Sequence, residues 1–159
     1  MRKKALIINY KDLGSELGII KNNKTVLVGG CFDLIHFGHI KFLEKAKEKG
    51  DFLIVALESD KFIKKNKRKL PVHKQSERAE ILSNLNMIDL VILLAFFNTN
   101  NDYLNLVKKI SPSIIAVTEG DKQLINKQLQ AKEISAEVKV VVTNLKNFST
   151  RNIAKIFNL

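Results

Sequence analysis

Residues 25–57, TVLVGGCFDLIHFGHIKFLEKAKEKGDFLIVAL, decide how the rest of the chain is read. An apolar run at 25–28 ends in Gly29-Gly30. The segment 39–49 then puts Ile40, Leu43 and Ala46 on one face with lysines elsewhere, the pattern of an amphipathic helix, and Gly50 stops it. A second apolar run follows at 52–57. Both runs are continuously apolar instead of alternating, as expected of strands in a parallel sheet covered on both faces.

The same alternation continues outward. Ser76 can cap a helix running through Ile81, Leu82 and Leu85. Residues 90–94 read as a third strand, and 103–110 as a helix ended by Ser111-Pro112. A fourth strand at 114–117, a helix at 122–134, a fifth strand at 138–142 and a last helix at 149–157 complete the series. The order predicts an α/β fold: a single Rossmann-like, doubly wound domain around a five-stranded, mainly parallel sheet. Residues 1–23 stand outside the pattern, as an N-terminal extension packed on the domain formed by 24–159. They hold a short strand or extended piece and a brief helix near 13–17. In such sheets ligands bind beyond the carboxyl ends of the strands. The informative loops are therefore 29–39, 58–72, 95–101, 118–122 and 143–151.

Composition narrows the class. The chain has 159 residues, 45% of them hydrophobic, which suits one packed core and excludes a disordered chain. The longest apolar stretch, 90–97, is far short of the roughly 20 residues a spanning helix needs. The apolar part after the basic start (5–8) is too short for a secretory signal. The single cysteine, Cys31, has no internal partner, and a reducing cytoplasm is the expected compartment. A net charge of +11 favours anionic partners (nucleic acid, nucleotides or phosphorylated metabolites) and fits compositional bias equally well.

The segment 29–39 carries the chemistry. Two glycines let the backbone approach a ligand, and free N–H groups at a helix start attract phosphate. The spacing matches neither the dinucleotide-binding GxGxxG nor the GxxxxGK[ST] phosphate loop. Instead His36 and His39 flank Gly38 where a helix opens. Imidazoles there can donate hydrogen bonds to phosphate oxygens and stabilise charge that builds up during phosphoryl chemistry. Three readings compete with phosphate binding. Cys31, Asp33, His36 and His39 form a compact ligand set, although structural zinc sites pair two separated clusters. Cys31 could act as a nucleophile with a histidine base, or the histidines could be structural. Phosphate binding is preferred, with no protein-held metal.

The string GGCFDLIHFGHIKFLEKAK (29–47) resembles the first signature of the HxGH-motif nucleotidyltransferases, the cytidylyltransferase-like superfamily. Glu58-Ser59-Asp60 is similar to its (N/E)SD, Leu70-Pro71-Val72 with Glu77-Arg78 to its RPV…EQR, and residues 148–153 to its closing (I/C)STT-x-I. The resemblance covers residues 24–157 and is closest in look to the heptose 1-phosphate adenylyltransferases, which share the segment 8–13 and the GCFD of 30–33. Three departures stand out. Leu70 replaces the arginine of RPV, Thr118-Glu119-Gly120-Asp121 stands in place of KGGD, and Arg151 replaces the second threonine of STT.

The resemblance implies attack by an acceptor phosphate on the α-phosphorus of a nucleoside triphosphate, releasing pyrophosphate. His36 and His39 would hold the triphosphate, assisted by Lys64 and Lys67 from the basic run 61–69, whose other reading is a solvated loop. Gly30, Cys31, Phe32, Asp33 and Gly38 would surround the phosphates, and Ser149 and Thr150, at a helix start, would form a second anion site. Glu119 and Asp121 bind the base or ribose, or cap the following helix. Ser59, Asp60 and Arg78 are expected at the acceptor, with a surface ion pair as the other reading of Arg78. The implied partners are ATP ahead of CTP, Mg²⁺ with the nucleotide, a sugar phosphate of the heptose 1-phosphate type, and a second copy in a homodimer, with no nucleic acid and no membrane. FAD synthase and glycerol-3-phosphate cytidylyltransferase are the alternatives, and a catalytically silent nucleotide-binding regulator is the alternative from another class.

Overall fold

The apolar runs assemble into one six-stranded sheet in a computed structural model that describes residues 4–14 and 17–143. In chain order the elements are β1 (Leu6–Asn9), a 3₁₀ turn at Tyr10–Asp12, α1 (Leu17–Lys21), β2 (Thr25–Gly30), α2 (Phe37–Lys47) and β3 (Phe52–Leu57). They continue with α3 (Asp60–Lys67), α4 (Gln75–Ser83), β4 (Leu90–Leu93), α5 (Asn100–Ile110), β5 (Ile114–Thr118), α6 (Leu124–Lys132) and β6 (Glu137–Val142). The strand order is β1-β4-β3-β2-β5-β6, and every pairing is parallel.

The doubly wound α/β character is as expected, but the count of five strands is corrected to six. Leu6–Asn9, read as part of an extension, is an edge strand in register with β4, from Leu6 opposite Leu90 to Asn9 opposite Leu93. Two further corrections concern helices. Residues 60–67, expected within a loop, form α3, whose one buried apolar side chain is Ile63. Ser76 lies inside α4 and does not cap it; Lys74 holds the cap position and donates its backbone N–H to the Glu77 carboxylate at 2.8 Å. The helix expected at 149–157 lies outside the described residues.

Alternate residues of each strand face opposite helical layers. Val26, Val28, Leu53 and Val55 pack against Leu43 and Ala46 of α2 and Ala79 and Leu82 of α4. Leu27, Ile54 and Ala56 face Leu106, Val107 and Ile110 of α5, with Ala131 of α6 and Ile20 of α1. Each fully buried Leu, Ile or Val contributes about 1.5–3 kcal/mol, so these two layers hold the frame. Gly50 ends the turn before β3 where a side chain would strike the Lys24 carbonyl. Among the described residues no helix is long and apolar enough to cross a membrane.

The topology also places the site. From β2 the chain winds outward through β3 and β4, then returns to β5 on the other side of β2 and continues to β6. The order reverses between β2 and β5, and beyond their carboxyl ends a crevice opens, bounded by Gly30 and Thr118.

Candidate active site

The segment leaving β2 is tightly determined. A Cβ on Gly30 would lie 2.8 Å from the Phe32 ring, so only glycine lets the chain fold back on itself here. Phe32 is buried and adopts φ 46°, a left-handed conformation that costs a non-glycine residue about 1 kcal/mol or more. Asp33, also buried, accepts the backbone N–H groups of Val72 (2.9 Å) and His73 (3.1 Å), and Lys69 Nζ lies 3.5 Å from its other oxygen. It therefore fastens this loop to the connection between α3 and α4.

His36 ends the loop with extended backbone and caps α2, its Nδ1 accepting the His39 N–H at 3.4 Å. The two imidazoles stack with centroids 3.8 Å apart. Burial, with the His36 ring next in weight, pushes His39 down to about 4; burial also lowers His36. Both rings are therefore neutral at pH 7 and can donate N–H groups to phosphate oxygens. His39 Nδ1 is buried and finds no well-formed hydrogen bond among the described residues.

His39 borders a cleft of ≈ 240 Å³, and His36, stacked on it, is not among the lining residues. Gly29, Gly30, Cys31, Phe32 and Asp33 line one side with His39 and Phe42 of α2; Lys67 and Lys69 overhang it from the end of α3, and Thr118, Asp121 and Lys127 stand opposite. Gly38 is buried in the first turn of α2. Asp121 accepts the Gln123 N–H at 2.7 Å and pairs with Lys127 Nζ at 2.7 Å, so it both orders the start of α6 and borders the cleft. Glu119 is exposed, its backbone N–H held by the Val142 carbonyl. Three lysines around a helix N-terminus and two neutral imidazoles form a receptor for a polyanion.

Several expected site residues serve the framework instead. Arg78, expected to touch phosphate or acceptor or to pair at the surface, is fully buried. Its guanidinium donates to the carbonyls of His73, Cys31 and Glu58 and to the Asp60 carboxylate (2.8 Å), which spends four of its five N–H groups on the protein. Asp60 is thereby engaged, and the Ser59 hydroxyl accepts the Phe62 N–H as the cap of α3. Lys64 is exposed and does not line the cleft, unlike Lys67. Ser149 and Thr150 lie outside the described residues.

The structure adds groups that sequence reasoning did not place at the site. Lys127 and Phe42 line the cleft but were not singled out as site residues, since each read as part of an amphipathic helix; Thr118, the first residue of the segment in place of KGGD, lines it too. Glu58, buried just past the end of β3, accepts the Tyr103 hydroxyl at 2.8 Å. Burial pushes its carboxyl up to about 7, against the opposing influence of that hydrogen bond and of Arg78, Lys127 and Lys67. A carboxylate ending an otherwise apolar strand was the available signal. Burial likewise raises the Cys31 thiol, with Lys67 opposing.

No group of three or more His, Cys, Asp or Glu side chains converges on a metal position among the described residues. The cleft carboxylates Asp33 and Asp121 already hold backbone amides and lysines. This donor set fits Mg²⁺ that arrives on a triphosphate and takes its ligands from phosphate and water.

Comparisons with known proteins agree with this arrangement. Residues 27–156 match the family described as Cytidylyltransferase-like. An FAD synthase of Thermococcus sibiricus is 38% identical over 74% of this chain and 80% of its own length. The Bifunctional protein HldE of Helicobacter hepaticus is 36% identical over 92% of this chain, which spans 29% of that longer protein. A crystal structure of the lipopolysaccharide core biosynthesis protein from Thermoplasma volcanium superposes with a TM-score of 0.62 at 28% identity, covering 76% of this chain and 95% of that one. A crystal structure of the pantoate-β-alanine ligase from Francisella tularensis shares the fold at 21% identity with a TM-score of 0.66, covering 98% of this chain and 79% of that one. The strand–HxGH–helix cleft at the sheet's switch point and the family match over 27–156 lead to one conclusion: this chain is a nucleotidyltransferase-type protein and belongs to the cytidylyltransferase-like family.

Proposed function

We propose that the chain transfers AMP from ATP to a phosphorylated small molecule, with a sugar phosphate of the heptose 1-phosphate type as acceptor. The observation that carries this reading is His39 at the start of α2, stacked on His36 and lining a cleft with Lys67, Lys69 and Lys127. An acceptor phosphate oxygen attacks the α-phosphorus, and pyrophosphate leaves along the same line. The chain's own contribution is positioning and charge stabilisation, with no covalent intermediate on the protein. Backbone N–H groups at the start of α2 and the imidazoles bind the α-phosphate, and the three lysines neutralise charge moving onto pyrophosphate. Mg²⁺ bound to the nucleotide would neutralise the β- and γ-phosphates.

A second acceptor, flavin mononucleotide, has its own support. The FAD synthase of Thermococcus sibiricus matches along 80% of its length, against 29% for the HldE protein. The base is read as adenine because an FAD synthase, by its name, makes a dinucleotide that contains adenine. Pyrophosphate release, measured with Mg²⁺ and with ATP or CTP crossed against heptose 1-phosphate, flavin mononucleotide and glycerol 3-phosphate, tests the proposal. Release is expected with ATP and a single acceptor. His36→Ala should lower kcat about 10²–10³-fold, the range for a lost transition-state donor. Release with CTP alone, or an undiminished rate in the variant, refutes it.

A further inference from the structure

Glu58 sits one layer behind the cleft. Its backbone N–H donates to the Gly30 carbonyl at 3.0 Å, and its own carbonyl accepts from Arg78, so it is fixed to the strand end that borders the nucleotide site. Its side chain is 7% exposed. Oε1 accepts the Tyr103 hydroxyl, while Oε2 is buried without a hydrogen-bond partner among the described residues. An ionised carboxylate with one bare oxygen in a dry site depends on cations acting through space.

The groups facing it are few. Cys31 lies on the loop after β2, Lys67 on α3, Arg78 on α4, Tyr103 on α5 and Lys127 on α6. Arg78 directs its N–H groups to three carbonyls and Asp60. Lys67 and Lys127 both line the cleft, and Lys127 already pairs with Asp121. Of the three cations that sustain the Glu58 charge, Arg78 is the strongest and stays buried, while the other two, Lys127 and Lys67, are ones a bound polyphosphate would engage.

We propose that Glu58 is a positioning residue coupled to nucleotide occupancy, partly ionised in the free protein and protonated further by solvent when a polyphosphate binds Lys67 and Lys127. This deepens the reading of the cleft as a nucleoside triphosphate site and rests on it. Bound phosphate both occupies the two lysines and adds negative charge behind Cys31, so the carboxylate loses part of its support and takes up a fraction of a proton, which returns to solvent when the product leaves. Its midpoint in the empty protein, about 7, lies where this exchange can occur at neutral pH. His39, near 4, and His36 respond in the same direction but start further from neutrality.

The test has two independent arms. In the first, carbon-13 NMR follows the Glu58 carboxyl of the free protein, assigned by its disappearance in Glu58→Gln. A midpoint near neutrality is expected, moving further upward in Tyr103→Phe, which removes the hydrogen bond to the charged form. A midpoint in the ordinary carboxylate range overturns the proposal whether or not a nucleotide binds. In the second, calorimetry with Mg·ATP or inorganic tripolyphosphate in two buffers of different ionisation enthalpy counts protons. If binding moves the midpoint one unit above 7, uptake at pH 7 is about 0.4 proton and affinity falls about fivefold from pH 6 to pH 8. Glu58→Gln should abolish both effects while still binding. Uptake that persists in Glu58→Gln assigns the proton to the histidines and overturns the proposal. If neither probe binds while Glu58 still titrates near neutrality, the polyphosphate reading of the cleft has failed, and with it the coupling.

Discussion

The two walls of the cleft are built differently. On the β2 side, residues 29–39 are tied by Asp33 to Val72 and His73, by Arg78 to Cys31, and by a Phe32 held at positive φ. On the β5 side, residues 118–121 are held by the Val142 carbonyl on the Glu119 N–H and by Asp121, and turn at Gly120 (φ 73°), where a Cβ would meet no atom within 4 Å. The β2 wall is crowded and cross-tied, while the β5 wall has open space at Gly120 and an exposed side chain at Glu119. The departure from the KGGD pattern falls on this open wall, at Thr118 and Glu119. Keeping the geometry at the reacting phosphate and varying the opposite wall is how one scaffold serves several acceptors.

Arg78 offers the largest test of this contrast. Arg78→Met leaves the His73, Cys31 and Glu58 carbonyls and the Asp60 carboxylate without their donor, which should cost about 3–5 kcal/mol in urea unfolding. A loss below about 1 kcal/mol would mean that the β2 wall does not depend on this clamp.

The pH dependence of stability sharpens it next. His39 titrates near 4 when folded against an ordinary value of 6.5, so its contribution to stability falls as pH drops from about 6.5 towards 4. Glu58 titrates near 7 against 4.5, so its contribution falls as pH rises from about 4.5 through 7. The two slopes oppose each other between about 4.5 and 6.5, and the wild-type profile should be nearly flat there. Glu58→Gln should expose a rising profile and His39→Ala a falling one. Three parallel profiles would contradict both assignments.

The smallest effect separates two glycines. Gly120→Ala meets open space and should cost only the positive-φ penalty of about 1 kcal/mol. Gly30→Ala must also displace the Phe32 ring, so it should weaken nucleotide binding, measured by calorimetry, where Gly120→Ala changes stability alone.

Much of this was legible in the sequence because the responsible patterns are local. Four of the six strands, β2 to β5, are apolar runs, β6 was expected although Lys139 interrupts it, and the HxGH loop announces itself between a strand and a helix. A short strand or extended piece was expected before residue 24, but its place in the sheet escaped because LIIN is short and partly exposed, which a loose extension would also be. α3 escaped because DKFIKKNK is mostly cationic and only Ile63 is anchored. The burial of Arg78 was not legible for a long-range reason. Of the carbonyls that receive it only that of His73 is near in sequence, while the others come from Cys31, 47 residues away, and Glu58, 20 away. The Glu58–Tyr103 contact spans 45 residues and leaves no periodic trace.

The edge strand β1 has a consequence for how the molecule is made. Leu6 is synthesised well before its partner Leu90, which lies on a strand that completes its own pairing with β3. Until that ladder exists, Leu6, Ile7 and Ile8 have nowhere to dock, and the nascent chain carries an unpaired, β-prone segment while everything between β1 and β4 is made. Translation speed and chaperone capture should therefore bear on yield through β1 more than through the cleft.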